Sequence, residues 1–157
     1  MEIRVFKEAD SNQVRKLINS IMRQEFSDEE KVYFQDDLQN ISKTYGGEKE
    51  VFFVAEEAND IIGTVAIKEE EDGVALLRRL FVHSDYRSRK YGQTLLEKAI
   101  HFCQQQHYRI INFRSTNRMK PAIELCKKNG FHERAKIDLG PFQIIKLTLN
   151  INQQDEI

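Results

Sequence analysis

Polar and apolar residues alternate over "EIRVF", where Ile3 and Val5 stand between charged neighbours, and this period of two predicts a short opening strand. The period then lengthens. Val14, Leu17, Ile18 and Ile21 share one helical face, and Asp10 or Ser11 suits the cap before it. A second helix is predicted over "SDEEKVYFQDDLQNI", with Ser27 as cap and acids in the first turn, where the helix dipole favours them. After the loop "TYGGEKE", two apolar runs, "VFFVAEE" and "IIGTVAIKEE", read as strands broken by "AND". "VALLRRLFV" is a third such run beyond the turn "EEEDG". A helix reaching to about Gln106 holds Leu95, Ala99, Phe102 and Cys103 at helical spacing, and "RIINFRS" is the next strand. "KPAIELCKKNG" is a helix with Pro121 in its first turn, Ala122, Leu125 and Cys126 on one face, lysines at its negative end and Gly130 as a left-handed cap. "FHERAKI" and "FQIIKLTLN" close the pattern as strands.

The order is β-α-α-β-β-β-α-β-α-β-β. It predicts an α/β fold, with α+β character, built on a mixed, mostly antiparallel twisted sheet with helices on both faces. The central strand–helix–strand unit is expected to be a right-handed parallel crossover. A chain of 157 residues suits one domain, expected over 1–150, with a polar tail over 151–157. Net charge is −1, which weighs against a nucleic-acid partner. The two cysteines, Cys103 and Cys126, show no disulfide framework. No apolar signal core opens the chain and no run approaches the ~20 apolar residues of a membrane span. A soluble, cytoplasmic protein with no membrane partner is expected. His101, His107 and His132 are scattered and give no metal-ligand spacing with the cysteines, so no metal is expected.

The stretch "YRSRKYGQTLL", Tyr86 to Leu96, places positive charge where a strand runs into a helix. Free amides and the dipole at a helix start, with a glycine for close approach, make an anion seat. A solvated basic turn is the plainer reading. The Gly-Lys-Ser/Thr of a nucleotide-binding P-loop is absent, and only one glycine of the dinucleotide fingerprint is present.

"LLRRLFVHSDYRSRKYGQTLL" resembles the acetyl-coenzyme A signature of the GNAT superfamily of N-acetyltransferases, an aliphatic strand followed by Gln/Arg-x-x-Gly-x-Gly/Ala opening a helix. Arg87 takes the first place and Gly92 the last, while Lys90 stands where the middle glycine is usual. "MKPAIELCKKNGF" is similar to the second signature, Ala-x-x-Leu-Tyr-x-x-x-Gly-Phe, through Ala122, Leu125, Gly130 and Phe131. Cys126 takes the place of the tyrosine.

The resemblance implies that the chain transfers an acetyl group from acetyl coenzyme A to a primary amine of a small or amino-acid-like acceptor, by direct attack in a ternary complex. The pantetheine arm would pair with the backbone of Leu80, Phe81 and Val82. The pyrophosphate would lie on the amides of Ser88, Arg89, Lys90, Tyr91, Gly92 and Gln93, beside Arg87. Cys126 would be the proton donor to the departing thiolate, or only a packing residue; solvent, Tyr91 or Tyr108 are the other donors considered. Glu69, Glu70, Glu71 and His83 are candidate bases, each also readable as a turn residue. Arg23, Tyr33, Tyr45 and Arg114 are candidates for acceptor recognition. A homodimer is compatible with this reading. So is a non-catalytic acyl-coenzyme A sensor, which Lys90 and Cys126 suggest.

Overall fold

The computed structural model describes residues 1–25, 36–87 and 89–151. Among these residues seven strands form one sheet: β1 (Glu2–Val5), β2 (Val51–Glu57), β3 (Asp60–Glu71), β4 (Val74–Val82), β5 (Ile110–Thr116), β6 (His132–Asp138) and β7 (Gln143–Asn150). Their spatial order is β1-β2-β3-β4-β5-β7-β6, and every neighbouring pair is antiparallel except β4 with β5. The helices are α1 (Ser11–Glu25), α2 (Asp36–Gln39), α3 (Ile41–Thr44), α4 (Tyr91–Gln105) and α5 (Lys120–Lys128). This is the mixed, mostly antiparallel α/β arrangement that the pattern predicts, with β4-α4-β5 as its parallel unit.

The unbroken apolar run of β2 has a simple cause. Val51, Phe53 and Ala55 point into a core shared with α4 and α5. Phe52 and Val54 point the other way, into a core shared with α1, α2 and α3. A strand covered on both faces needs no polar side. The predicted face of α1 is the buried one, since Val14, Leu17, Ile18 and Ile21 are all inside with Met22. Asp10 works one turn earlier than a cap of α1. It closes a 3₁₀ turn over Glu8–Asp10 by accepting the Lys7 N–H at 2.8 Å, and it pairs with Arg4 at 2.8 Å.

Three local expectations change. The Ser27 cap and the first part of the second helix lie outside the described residues. Its end is two short helices, parted at Asn40, where φ −152° and ψ 67° leave the helical region. In α5 the buried residues are Ile123 and Cys126, while Ala122 and Leu125 are half-buried and line a cleft. Ile151, assigned by pattern to the tail, is buried, and its N–H donates to the Arg109 carbonyl at 2.9 Å. Among the described residues no helix is long and apolar enough to cross a membrane.

Candidate functional site

Strands β4 and β5 pair only from Val74 with Ile110 to Leu77 with Phe113. Beyond that point both continue, and they part. A β-bulge drives the separation: between the pairs Thr64–Phe81 and Ala66–Arg78, one residue of β3 opposes both Arg79 and Leu80. Arg79 adopts φ 55° to make it. The edge of β4 that faces β5 is left without a strand partner from Arg78 onward. Two connected clefts fill the opening. The larger, about 740 Å³, runs from Leu80 and Val82 to Lys90, Gly92 and Leu125. The smaller, about 400 Å³, lies at the fork, among Leu77, Arg78, Phe113, Arg114 and Ser115. Leu80, Phe81, Met119 and Ala122 line both.

The larger cleft brings together most of the residues expected to hold a cofactor. Leu80, Phe81, Val82, Arg87, Lys90, Tyr91, Gly92 and Gln93 all line it; Arg89 does not, and Ser88 lies outside the described residues. Gly92 is in the first turn of α4, and its backbone is ordinary helix. What it supplies is clearance, because a Cβ there would meet Leu125 Cδ2 at 3.3 Å and Val82 Cγ2 at 3.8 Å. Lys90, immediately before α4, has φ 62° and ψ 20°. The middle glycine of the signature therefore marks a left-handed residue, and lysine occupies it at a cost.

Carboxylates hold the basic side chains of this loop. Arg87 donates to Glu25 at 2.5 and 2.8 Å and, through Nε, to the Val82 carbonyl at 3.0 Å. Tyr91 donates to Glu57 at 2.6 Å, and this hydrogen bond holds the Glu57 carboxyl below its usual range. Arg89 lies 5.3 Å over the Tyr86 ring and 3.9 Å from Glu57. The side chain of Gln93 is engaged with Asn129 in a reciprocal amide pair at 2.8 and 2.9 Å, which ties α4 to α5. Only its backbone is open to an anion.

A buried charged pair lies behind the bulge. Arg79 Nε and Nη2 donate to Asp37 at 2.9 and 2.6 Å, and both side chains are 4% exposed. Tyr45 donates to the same carboxylate at 2.6 Å, so this recognition candidate is committed inside the protein. Burial alone would push Asp37 up, but the Arg79 guanidinium and the Tyr45 hydroxyl outweigh it and hold the carboxyl below the usual range. Thr64 Oγ1 donates to the Arg79 carbonyl at 2.6 Å and fixes the bulge from the neighbouring strand.

Cys126 is fully buried in the core and is absent from the lining of both clefts. Burial pushes its thiol up to about 12. The Tyr108 hydroxyl is turned away, donating to the Lys49 carbonyl at 2.7 Å. Among the candidate bases, Glu70 accepts from Asn112 and Arg114, each at 2.9 Å. Burial raises it, but those bonds and the nearby cations win, so it stays ionised and weakly basic. His83 is half-buried, its Nδ1 accepting the Asp85 N–H at 3.1 Å. Arg23 is exposed on α1, and Tyr33 lies outside the described residues. The pattern reading missed Asp37, Arg79, Glu25 and Arg78. One signal was available for two of them: "RR" inside the apolar strand "VALLRRLFV" demands partners for buried charge.

The profile of the "Acetyltransferase (GNAT) family" matches residues 12–131. An uncharacterised N-acetyltransferase of Methanocaldococcus jannaschii is 34% identical over 89 residues, which is 53% of this chain and 39% of that protein. The chain spans less than half the length of the curated relatives it matches. Among solved structures, a GNAT-family acetyltransferase from Staphylococcus aureus Mu50 superposes with a TM-score of 0.82 at 24% identity, over 95% of this chain and 98% of that one. A Bacillus anthracis protein solved in complex with acetyl coenzyme A superposes with a TM-score of 0.64 at 19% identity, over 70% of this chain and 67% of that one.

Proposed function

Because this chain belongs to the GNAT acetyltransferase family, we propose that it transfers an acetyl group from acetyl coenzyme A to a primary amine of a small molecule or amino-acid-like acceptor, by direct attack in a ternary complex. The observation that carries this reading is the parting of β4 from β5 beyond Leu77 and Phe113, beside the start of α4. An unpaired strand edge accepts an extended, amide-bearing arm by strand-like pairing. The free N–H groups at the start of α4 and the charges of Arg87 and Lys90 suit a pyrophosphate. The clearance at Gly92 suits its close approach.

In this reading the backbone N–H groups of Leu80 to Val82 polarise the thioester carbonyl and stabilise the oxyanion of the tetrahedral intermediate. The acceptor nitrogen forms the new C–N bond, and the C–S bond breaks. The ammonium loses one proton to solvent before attack, the nitrogen loses a second to solvent as the intermediate collapses to the amide, and solvent returns one proton to the thiolate. Cys126 is assigned to packing, because a buried thiol raised to about 12 and outside both clefts is a poor donor. The 1–150 segment is read as the acetyltransferase domain. A cytoplasmic setting suits its two buried, free cysteines. A non-catalytic acyl-coenzyme A sensor is the second reading, favoured by the burial of the residue at the usual donor position.

Acetyl coenzyme A is expected to raise the melting temperature, since a ligand at a hundred times its dissociation constant adds about 2.7 kcal/mol to stability. Gly92→Asp should weaken that effect by placing bulk and negative charge beside the phosphates. Absence of both a thermal shift and calorimetric binding at millimolar ligand would sink the assignment. Thiol release with any amine separates the enzyme from the sensor.

A further inference from the structure

Arg78 and Arg114 are the first residues past the last β4–β5 pair, one on each strand. The strands are parallel there, so the two side chains leave from the same face of the sheet, opposite to Leu77 and Phe113. That face is the α1–α3 side, since Arg78 pairs across the sheet with Ala66, which belongs to that core. Both arginines line the smaller cleft. Their circumstances differ. Arg114 is held by Glu70 at 2.9 Å. Arg78 is 30% exposed, and its only ionic contact among the described residues is Asp37 at 4.0 Å, beyond hydrogen-bonding distance. Asp37 has both oxygens committed, to Arg79 and Tyr45.

The charge balance points the same way. Around this fork, among the described residues, Arg78, Arg79, Arg114 and Lys146 stand against Asp37 and Glu70, both already bonded. Lys146 pairs with Arg114 across β5 and β7 and adds to the field at Glu70. An acceptor bearing only an ammonium group would be repelled. We propose that Arg78, at the mouth of the fork, selects acceptors that carry a carboxylate beside the amine, which it holds through its planar donor fork. A cleft of about 400 Å³ limits that acceptor to a small molecule or a chain end. The inference rests on the acetyltransferase reading and names its substrate class.

The test measures thiol release from acetyl coenzyme A with matched acceptors: free L-amino acids against their α-amides, and aspartate and glutamate against asparagine and glutamine. The amide amine is the less basic, so intrinsic reactivity favours the amide and biases the comparison against the proposal. The free acids are expected to win in kcat/KM. Arg78→Gln should raise their KM about 10- to 100-fold, the range for loss of a charge-assisted hydrogen bond, while leaving acetyl-coenzyme A affinity and amide turnover unchanged. Arg78→Lys, which keeps the charge without the fork, should recover part of the loss. Equal use of acids and amides, or an equal effect of Arg78→Gln on both, overturns the inference and leaves the acetyltransferase reading intact. Silence with every acceptor, while acetyl coenzyme A still binds, overturns the inference and favours the sensor. Failure to bind acetyl coenzyme A overturns both.

Discussion

Lys90 carries a left-handed backbone at φ 62° without being glycine. Such a conformation costs about 1–2 kcal/mol for a residue with a Cβ. Glycine removes that cost but gives back part of it through a freer unfolded chain. Lys90→Gly is therefore expected to stabilise the protein by about 0.5–1 kcal/mol in urea unfolding; a destabilised variant would show that the lysine side chain outweighs the strain. Cys126 argues in the other direction. Its neighbours are core residues, so Cys126→Ala should leave a small cavity and cost about 1 kcal/mol of stability while sparing most of the rate. A folded, cofactor-binding Cys126→Ala variant that lost ~10²-fold or more in turnover, the lower end for a general acid, would overturn its assignment to packing.

At the scale of elements, one buried pair joins α2 to the bulge of β4. Removing one partner of a buried ion pair costs about 3–5 kcal/mol, because the other charge is left unpaired. Asp37→Asn is expected to fall in that range in denaturant unfolding, with Arg79 stranded at 4% exposure. A cost below about 1 kcal/mol, the level of a surface pair, would mean that Arg79 finds another partner. The same bulge brings Arg79 onto the face that Arg78 already takes by ordinary alternation. Strict alternation would send Arg78 and Arg79 to opposite faces, but the extra residue on β4 turns both toward the α1–α3 side.

At the scale of the molecule, several carboxyls are held below their usual range: Asp10 by its hydrogen bond from Arg4, and Asp37 and Glu70 by bonds and charges that overcome burial. A carboxyl whose folded-state value is depressed binds its proton more readily in the unfolded chain. Its contribution is complete above the unfolded value, ~3.9 for aspartate, and is lost as pH falls through the acid range. The melting temperature should therefore drop steeply as pH falls below about 4. Asp37→Asn, lower throughout, should drop less steeply. Parallel curves for the two proteins would mean that Asp37 contributes nothing to the acid transition.

The sequence by itself determined what local periodicity and local backbone chemistry can determine. The strand and helix order, the apolar face of α1, the basic turn before α4 and the left-handed cap at Gly130 were all readable, because each depends on residues a few positions apart. The family resemblance added that Lys90 sits where a glycine is usual, and the structure added the positive φ that makes it costly. Tertiary structure alone decided the rest. The bulge is a mismatch in count between β3 and β4, so no repeat within either strand reveals it. Asp37, which pairs with Arg79, lies 42 residues away, on an element whose pattern reads only as a helix. Which face of α5 is buried turned on the cleft beside it: with β4 and β5 parted, Ala122 and Leu125 line open space, and Ile123 and Cys126 take the core. Arg78 and Arg114 meet at the fork for the same reason, since two parallel strands that stop pairing at one level set their next side chains side by side.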